Sequence, residues 1–224
     1  RPVLELIGEK LAPTLQLSST AFLIALLIAI PLGISGAIRK GKFFDNATSN
    51  MTFLGISMPA FWFGMMLQLL FAVQLQWLPT AGRTSLTGGD VGSFTDVLRH
   101  LIMPSIVLSL IYIASWARYA RSNFIEVLNQ DYIRTARAKG LREKTVYTVH
   151  ALRNALIPLV TVVMLDIPAI FSGAVVTETV FAWPGMGSFF NDALNKQDFP
   201  VLMGILMINA VLVIVSNLIA DILY

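Results

Sequence analysis

Residues 11–38 read LAPTLQLSSTAFLIALLIAIPLGISGAI, and no Asp, Glu, Lys or Arg interrupts them from Leu11 to Ile38. A helix needs about 20 mostly apolar residues to cross the hydrocarbon core of a bilayer. An uncharged run of this length therefore calls for lipid as its solvent. Four more stretches pass the same test: 51–78, 101–117, 155–177 with Asp166 inside it, and 199–220. Transmembrane β-strands alternate apolar and polar residues over about ten positions, and none of these runs alternates. The expectation is an all-α integral membrane protein, one bundle with five spans.

Composition agrees. Hydrophobic residues make up 56% of the chain and charged ones 13%, against about 25% charged in soluble domains. With no cysteine, a disulfide framework and a thiolate metal site are both excluded. His100 and His150 lie far apart in the chain and form no metal or triad motif. The net charge of +3 speaks against nucleic-acid binding, because its basic residues sit between spans rather than on one water-facing surface.

Those charges orient the chain. The loop after the first span holds Arg39, Lys40 and Lys42 against Asp45. The loop after the third holds Arg118, Arg121, Arg134, Arg137, Lys139, Arg142, Lys144 and Arg153. Residues 79–100 are balanced, and 178–198 carry Glu178, Asp192 and Asp198. By the positive-inside rule the two basic loops are cytoplasmic. Trp77 and Trp183 are expected near the outer interface, Trp116 and Tyr119 near the inner one. Before the first span, Val3, Leu4, Ile7 and Leu11 recur at helical spacing, so residues 1–11 read as a short amphipathic helix on the outer surface.

The long basic loop, 118–154, is not loop-like. Residues 130–139, QDYIRTARAK, are strong helix formers with a candidate N-cap at Asp131. Arg137 and Lys139 fall in the last turn, where cations favour the helix dipole. Gly140 fits the left-handed position that ends a helix. A second helix is expected over 142–154, ending before Pro158 at the start of the fourth span. Such a helix, turn and helix can plug into a groove on a soluble partner; periodicity alone equally allows a surface helix that only balances orientation.

The stretch DYIRTARAKGL at 131–141, followed by HALRNALIP at 150–158, resembles the cytoplasmic "EAA" loop of ABC-importer permeases, and most closely the B-type subunits of the dipeptide, oligopeptide and nickel group. The resemblance continues in GAVVTETVFAWPGMG at 173–187, in QDFP at 197–200, and at Asn217, Asp221 and Tyr224. Arg134 stands where the general motif has its glutamate, and the gap from Gly140 to Pro158 exceeds the general consensus; both are usual in the peptide group. The resemblance implies a type I ABC-importer permease bundle in a prokaryotic inner membrane, with five of six spans present in this sequence.

It also implies partners: a second permease subunit of C type, two cytosolic ATPase subunits carrying ATP and Mg, and an external substrate-binding protein. This sequence has no G-x-x-x-x-G-K-[ST] phosphate loop, so it is not expected to be an enzyme. Arg134, Thr135, Ala136, Arg137, Ala138, Lys139, Gly140 and Leu141 would seat in an ATPase cleft, with Arg134, Arg137 and Lys139 meeting acidic groups there. Glu178, Phe181, Trp183, Pro184 and Gly185 would form an external gate below the binding protein, with the two aromatics packing at the interface.

Asp166 is the one formal charge inside a span, and intramembrane carboxylates usually face a cavity or a partner. Ser105, Ser109 and Tyr112 share a helix face, and Gln68 and Asn209 are polar groups in other spans. Together they are the candidate substrate pathway, although such residues also bond between helices. Ala21, Ala25, Ala29, Gly33 and Ala37 recur every four residues, which suits either close packing within the subunit or a contact with its partner. Pro31 is a candidate kink. Alternative functions are a nickel or other small-solute ABC permease and, from another class, a secondary transporter or channel driven by an ion gradient. For the latter, Asp166 and the proline-broken fourth span would be the site.

Overall fold

The computed structural model describes residues 2–87 and 90–223; Tyr224 of the closing motif and Arg1 lie outside them. Eleven α-helices occur in order among the described residues. They are α1 (Val3–Ile38), α2 (Phe43–Ser57), α3 (Ala60–Leu67), α4 (Phe94–Leu128), α5 (Asp131–Ala138) and α6 (Glu143–Thr145). Then come α7 (Leu152–Asp166), α8 (Pro168–Ser172), α9 (Val175–Val180), α10 (Met186–Asn195) and α11 (Phe199–Leu223). Two π-helical segments, Gln68–Gln74 and Val146–Ala151, continue α3 and join α6 to α7. Four helices are long and apolar enough to cross a membrane, Val3–Ile38, Phe94–Leu128, Glu143–Ser172 and Phe199–Ile219. They become five if α2 and the α3 segment, broken at Met58-Pro59, make one span.

Several expectations change. Residues 3–11 do not form a separate surface helix: they are the start of α1, and Ile7 is buried against Met186, Val201 and Ile205. An apolar stripe that finds a protein partner has no need of a lipid surface. The helical conformation continues through Pro31 to Ile38. The second cytoplasmic helix does not end before Pro158, which lies inside α7; a proline lacks only one backbone donor, and membrane helices accommodate that loss. The fourth span stops at Ser172 instead of Thr177, because Gly173 takes φ +82 and breaks the helix. Trp116 and Trp183 are fully buried rather than at an interface, whereas Trp77 and Tyr119 are exposed.

The contacts divide into two compact units. The first comprises residues 1–24, 58–109 and 166–223. Its cores join Ile7 to Met186, Leu202 and Ile205, Leu17 to Leu101 and Trp183, and Phe181 to Met103 and Val107. The second comprises 25–57 and 110–165. Its core is Phe124, Ile133, Val146 and Ala151 with the small Ala37, Ala136 and Ala155. The alanines of the four-residue stripe are all buried within this chain, which selects packing inside the subunit. At Gly33 the approach of α1 to α4 is backbone to backbone: an added Cβ would lie 2.5 Å from the Ala117 carbonyl oxygen.

Candidate functional site

Two regions carry the residues singled out in the sequence, one in each unit. In the second unit, α5 is preceded by Gln130 in extended conformation. The N-cap is therefore Gln130, one residue earlier than expected, and Asp131 is the first helical residue, where an acid complements the dipole. Ile133 and Ala136 turn into the core. The amide of Leu141 closes onto the Ala136 carbonyl, and Gly140 takes φ +76. No atom lies within 4 Å of where its Cβ would be. Backbone conformation alone selects glycine here, not space.

A side-chain clasp spans this turn. Arg137 donates from Nε to Glu143 Oε1 at 2.8 Å and from Nη2 to Oε2 at 3.3 Å, and Tyr147 also bonds the pair. The Glu143 carboxylate holds the Arg137 guanidinium above the ordinary arginine range. Arg137 is thus committed within the loop, while Arg134 is 77% exposed and makes only a long contact of 3.4 Å with the still more open Asp131. Tyr132 and Leu141 are exposed as well. From Glu143 the helical conformation runs through the π-helical segment to Asp166, so the turn is joined directly to a membrane-crossing helix.

In the first unit, residues 173–188 wrap around one carboxylate. Glu178 is fully buried. It accepts a hydrogen bond from the Thr14 hydroxyl at 2.8 Å and from the Ser188 amide at 2.9 Å. Thr14 Oγ1 in turn accepts from the Met186 amide at 2.6 Å. The Trp183 indole donates to the Pro13 carbonyl at 2.8 Å, and its backbone amide donates to the Glu178 carbonyl. Ser188 Oγ bonds the carbonyls of Trp183 and Gly185. A Cβ on Gly185 would lie 2.5 Å from Glu178 Oε1 and collide with Thr14. One on Gly187 would lie 2.7 Å from the Val175 backbone. Phe181 and Trp183 are core residues of this unit, because the chain folds back on α1 and α4 instead of ending at an interface.

The six pathway candidates are scattered in role. Gln68 Nε2 donates to the Thr80 and Val180 carbonyls at 2.8 and 3.0 Å, tying the π-helical segment to its neighbours. Ser109 bonds back to Ile106 in its own helix, and Tyr112 packs on Trp116 at 5.2 Å. Asp166 ends α7 and is half-buried. Ser105 Oγ and Asn209 Oδ1 are buried with no hydrogen-bond partner among the described residues.

Sequence reasoning missed two features. One is a cavity of about 600 Å³ in the first unit, lined by Trp77, Asp90, Asp96, Arg99 and His100. There Asp96 accepts from the Ser85 and Gly92 amides and the Ser85 hydroxyl. The other is a bidentate ion pair in the second unit, where Arg121 binds buried Asp45 through Nε and, at 2.8 Å, through Nη2. The only sequence signal for it was Asp45 itself, the lone acid in a basic loop; nothing local picked Arg121 from its neighbours.

Residues 29–224 match the family described as binding-protein-dependent transport system inner membrane component. The chain is 46% identical over 223 residues to the oligopeptide transport system permease protein AppB of Bacillus subtilis, covering all of this chain and 70% of that protein. It is 41% identical over 242 residues to the dipeptide transport system permease protein DppB of Escherichia coli strain K12, covering all of this chain and 71% of that one. Among solved structures, a chain of the methionine ABC transporter MetNI in an inward-facing conformation superposes with a TM-score of 0.72 at 16% identity, covering 100% of this chain and 96% of that one. A chain of an amino acid ABC transporter with histidines does so at 0.68 and 13%, covering 98% and 92%. These two carry the fold, a type I ABC-importer permease bundle, and the closer sequences carry the kinship: this chain belongs to the family of inner-membrane components of binding-protein-dependent transport systems.

Proposed function

We propose that this chain is the permease subunit through which an ATP-driven importer passes di- or oligopeptides delivered by an external binding protein. The observation that carries the reading is the α5–Gly140–α6 turn. It presents an exposed face, it is braced by Arg137–Glu143, and it continues as one helical run into a membrane-crossing segment. A soluble motor pressing on that face moves a stiff lever, not a slack loop. In this reading ATP and Mg act on two separate ATPase subunits, in keeping with relatives that are named as the permease proteins of transport systems. Arg134 and Lys139 are the cations open to acidic groups on that partner, while Arg137 serves by holding the turn. Identity of 41–46% to proteins named as dipeptide and oligopeptide permeases supports peptides as the cargo, and a B-type likeness supports a C-type permease as the second subunit.

The Glu178 cluster is proposed as the external gate, moving as a block because its groups are tied to one another. Within the pathway proposal, Ser105 and Asn209 lead: their buried polar atoms lack protein partners, as groups lining a closed route do, whereas Gln68 is spent on backbone carbonyls. The test is uptake of labelled dipeptide into proteoliposomes holding the purified importer with its binding protein. Uptake is expected to need internal or external ATP on the ATPase side and to stop with vanadate. Uptake driven by an ion gradient without ATP would reject the reading.

A further inference from the structure

The second unit holds a cavity of about 170 Å³ that is lined by Arg118, Arg121, Thr48, Ser49, Thr52 and Phe53. Two contacts fix the helices that border it. Gly33 seats α1 on the backbone of α4 at Ala117, and Asp45 grips Arg121. The Asp45 grip uses Nε and Nη2, which leaves Arg121 Nη1 uncommitted among the described residues. Arg118 has no ion-pair partner among the described residues, and it also lines a neighbouring cavity of about 380 Å³ with Tyr119, Ser122 and Asn123. Asn123 Nδ2 is a buried donor without an acceptor among the described residues. Beyond the Asp45–Arg121 pair, cationic and amide donors thus gather at cavities whose linings hold no carboxylate.

We propose that this pocket binds the phosphodiester headgroup of an anionic phospholipid bearing hydroxyls, such as phosphatidylglycerol. Arg118, Arg121 Nη1 and the Ser49 hydroxyl donate to the phosphate. Thr48 and Thr52 already donate to the carbonyls of Asp45 and Ser49, so their oxygens accept from the headgroup hydroxyls. A free phosphate would need no apolar wall, yet Phe53 lines the pocket and the same helix exposes Met51 and Leu54, a surface for acyl chains. The basic loops on either side are cytoplasmic by the positive-inside rule, and basic pockets between membrane helices on that face suit anionic headgroups. The bound lipid would staple α2 to α4 beside the Asp45–Arg121 pair.

The test is native mass spectrometry of the full-length protein, purified with any subunits that accompany it, delipidated and given phosphatidylglycerol or phosphatidylcholine of one chain length. Retention of phosphatidylglycerol is expected to be at least about fivefold higher, and Arg118→Gln to lower it about fivefold, the effect of one near-surface cation. Lys42→Gln removes the same charge outside the pocket and should change retention less than about twofold. Ser49→Met keeps every charge, fills the space, and should lower retention as Arg118→Gln does. Equal retention of the two lipids, equal effects of Arg118→Gln and Lys42→Gln, or full retention in Ser49→Met would overturn the proposal. So would displacement of phosphatidylglycerol by inorganic phosphate at equal concentration, which would make the pocket a free-anion site.

Discussion

Gly140 and Gly185 sit in the two regions that matter most, and they are glycine for opposite reasons. Gly140 has φ +76 and open space around its missing side chain. Gly185 has φ −99, a backbone any residue adopts, and no space at all, because Thr14 and Glu178 occupy the place a Cβ would take. The first turn is set by backbone geometry and braced from outside by an exposed ion pair. The second is set by a buried carboxylate around which the chain is closely wrapped. The difference suits the proposed roles: the turn must keep its shape while its surface stays free for a partner, and the external block must stay together when it moves.

The largest effect should come from Gly185→Ala. The extra methyl forces apart two buried polar side chains, and overpacking of this kind costs about 1–3 kcal/mol or more. The strained Thr14 and Glu178 bonds add to it. A fall in the melting temperature in detergent of roughly 10 °C is expected, at about 2–4 °C per kcal/mol for a chain of this size. A melting point unchanged within a degree would show that the packing around Glu178 is looser than described.

Thr14→Val comes next. Valine keeps the shape but removes the hydroxyl that accepts from the Met186 amide and donates to Glu178. Leaving the Met186 amide without its acceptor and Glu178 with only its Ser188 bond costs about 1–3 kcal/mol, without the steric clash of Gly185→Ala. The double variant is informative, because Thr14 is one of the atoms the new methyl would strike. The two losses should be less than additive. Full additivity would place the clash elsewhere.

These contrasts also explain what the sequence revealed. The membrane helices were legible because a bilayer demands about 20 apolar residues in a row, a signal that no tertiary contact can hide. Gly140 was legible because helix formers followed by a glycine specify a left-handed stop within a few residues. The Glu178–Thr14 bond joins residues 164 positions apart, and Asp45–Arg121 joins residues 76 apart. A local pattern carries no trace of which distant donor a buried carboxylate will meet. The apolar start of α1 misled for a related reason: a stripe suited to a lipid surface is equally suited to the Met186 and Ile205 side chains it packs against.

The smallest effect, and the one that tests the comparison most directly, is Gly140→Ala. No atom waits for the new methyl, so the whole cost is that of holding an L-residue in the left-handed region, about 1–2 kcal/mol. That strain can be relieved at the C-terminal end of α5, beyond the buried Ile133 and Ala136, since Arg137–Glu143 is exposed and contributes at most about 1 kcal/mol. Amide exchange over 137–145 is therefore expected to speed up by roughly five- to thirtyfold while the melting temperature holds. Asparagine tolerates the left-handed region better than alanine does, so Gly140→Asn should restore most of the protection. If Gly140→Ala lowered the melting temperature as far as Gly185→Ala, or if asparagine rescued nothing, the turn would be packed rather than merely bent, and the distinction between the two glycines would fail.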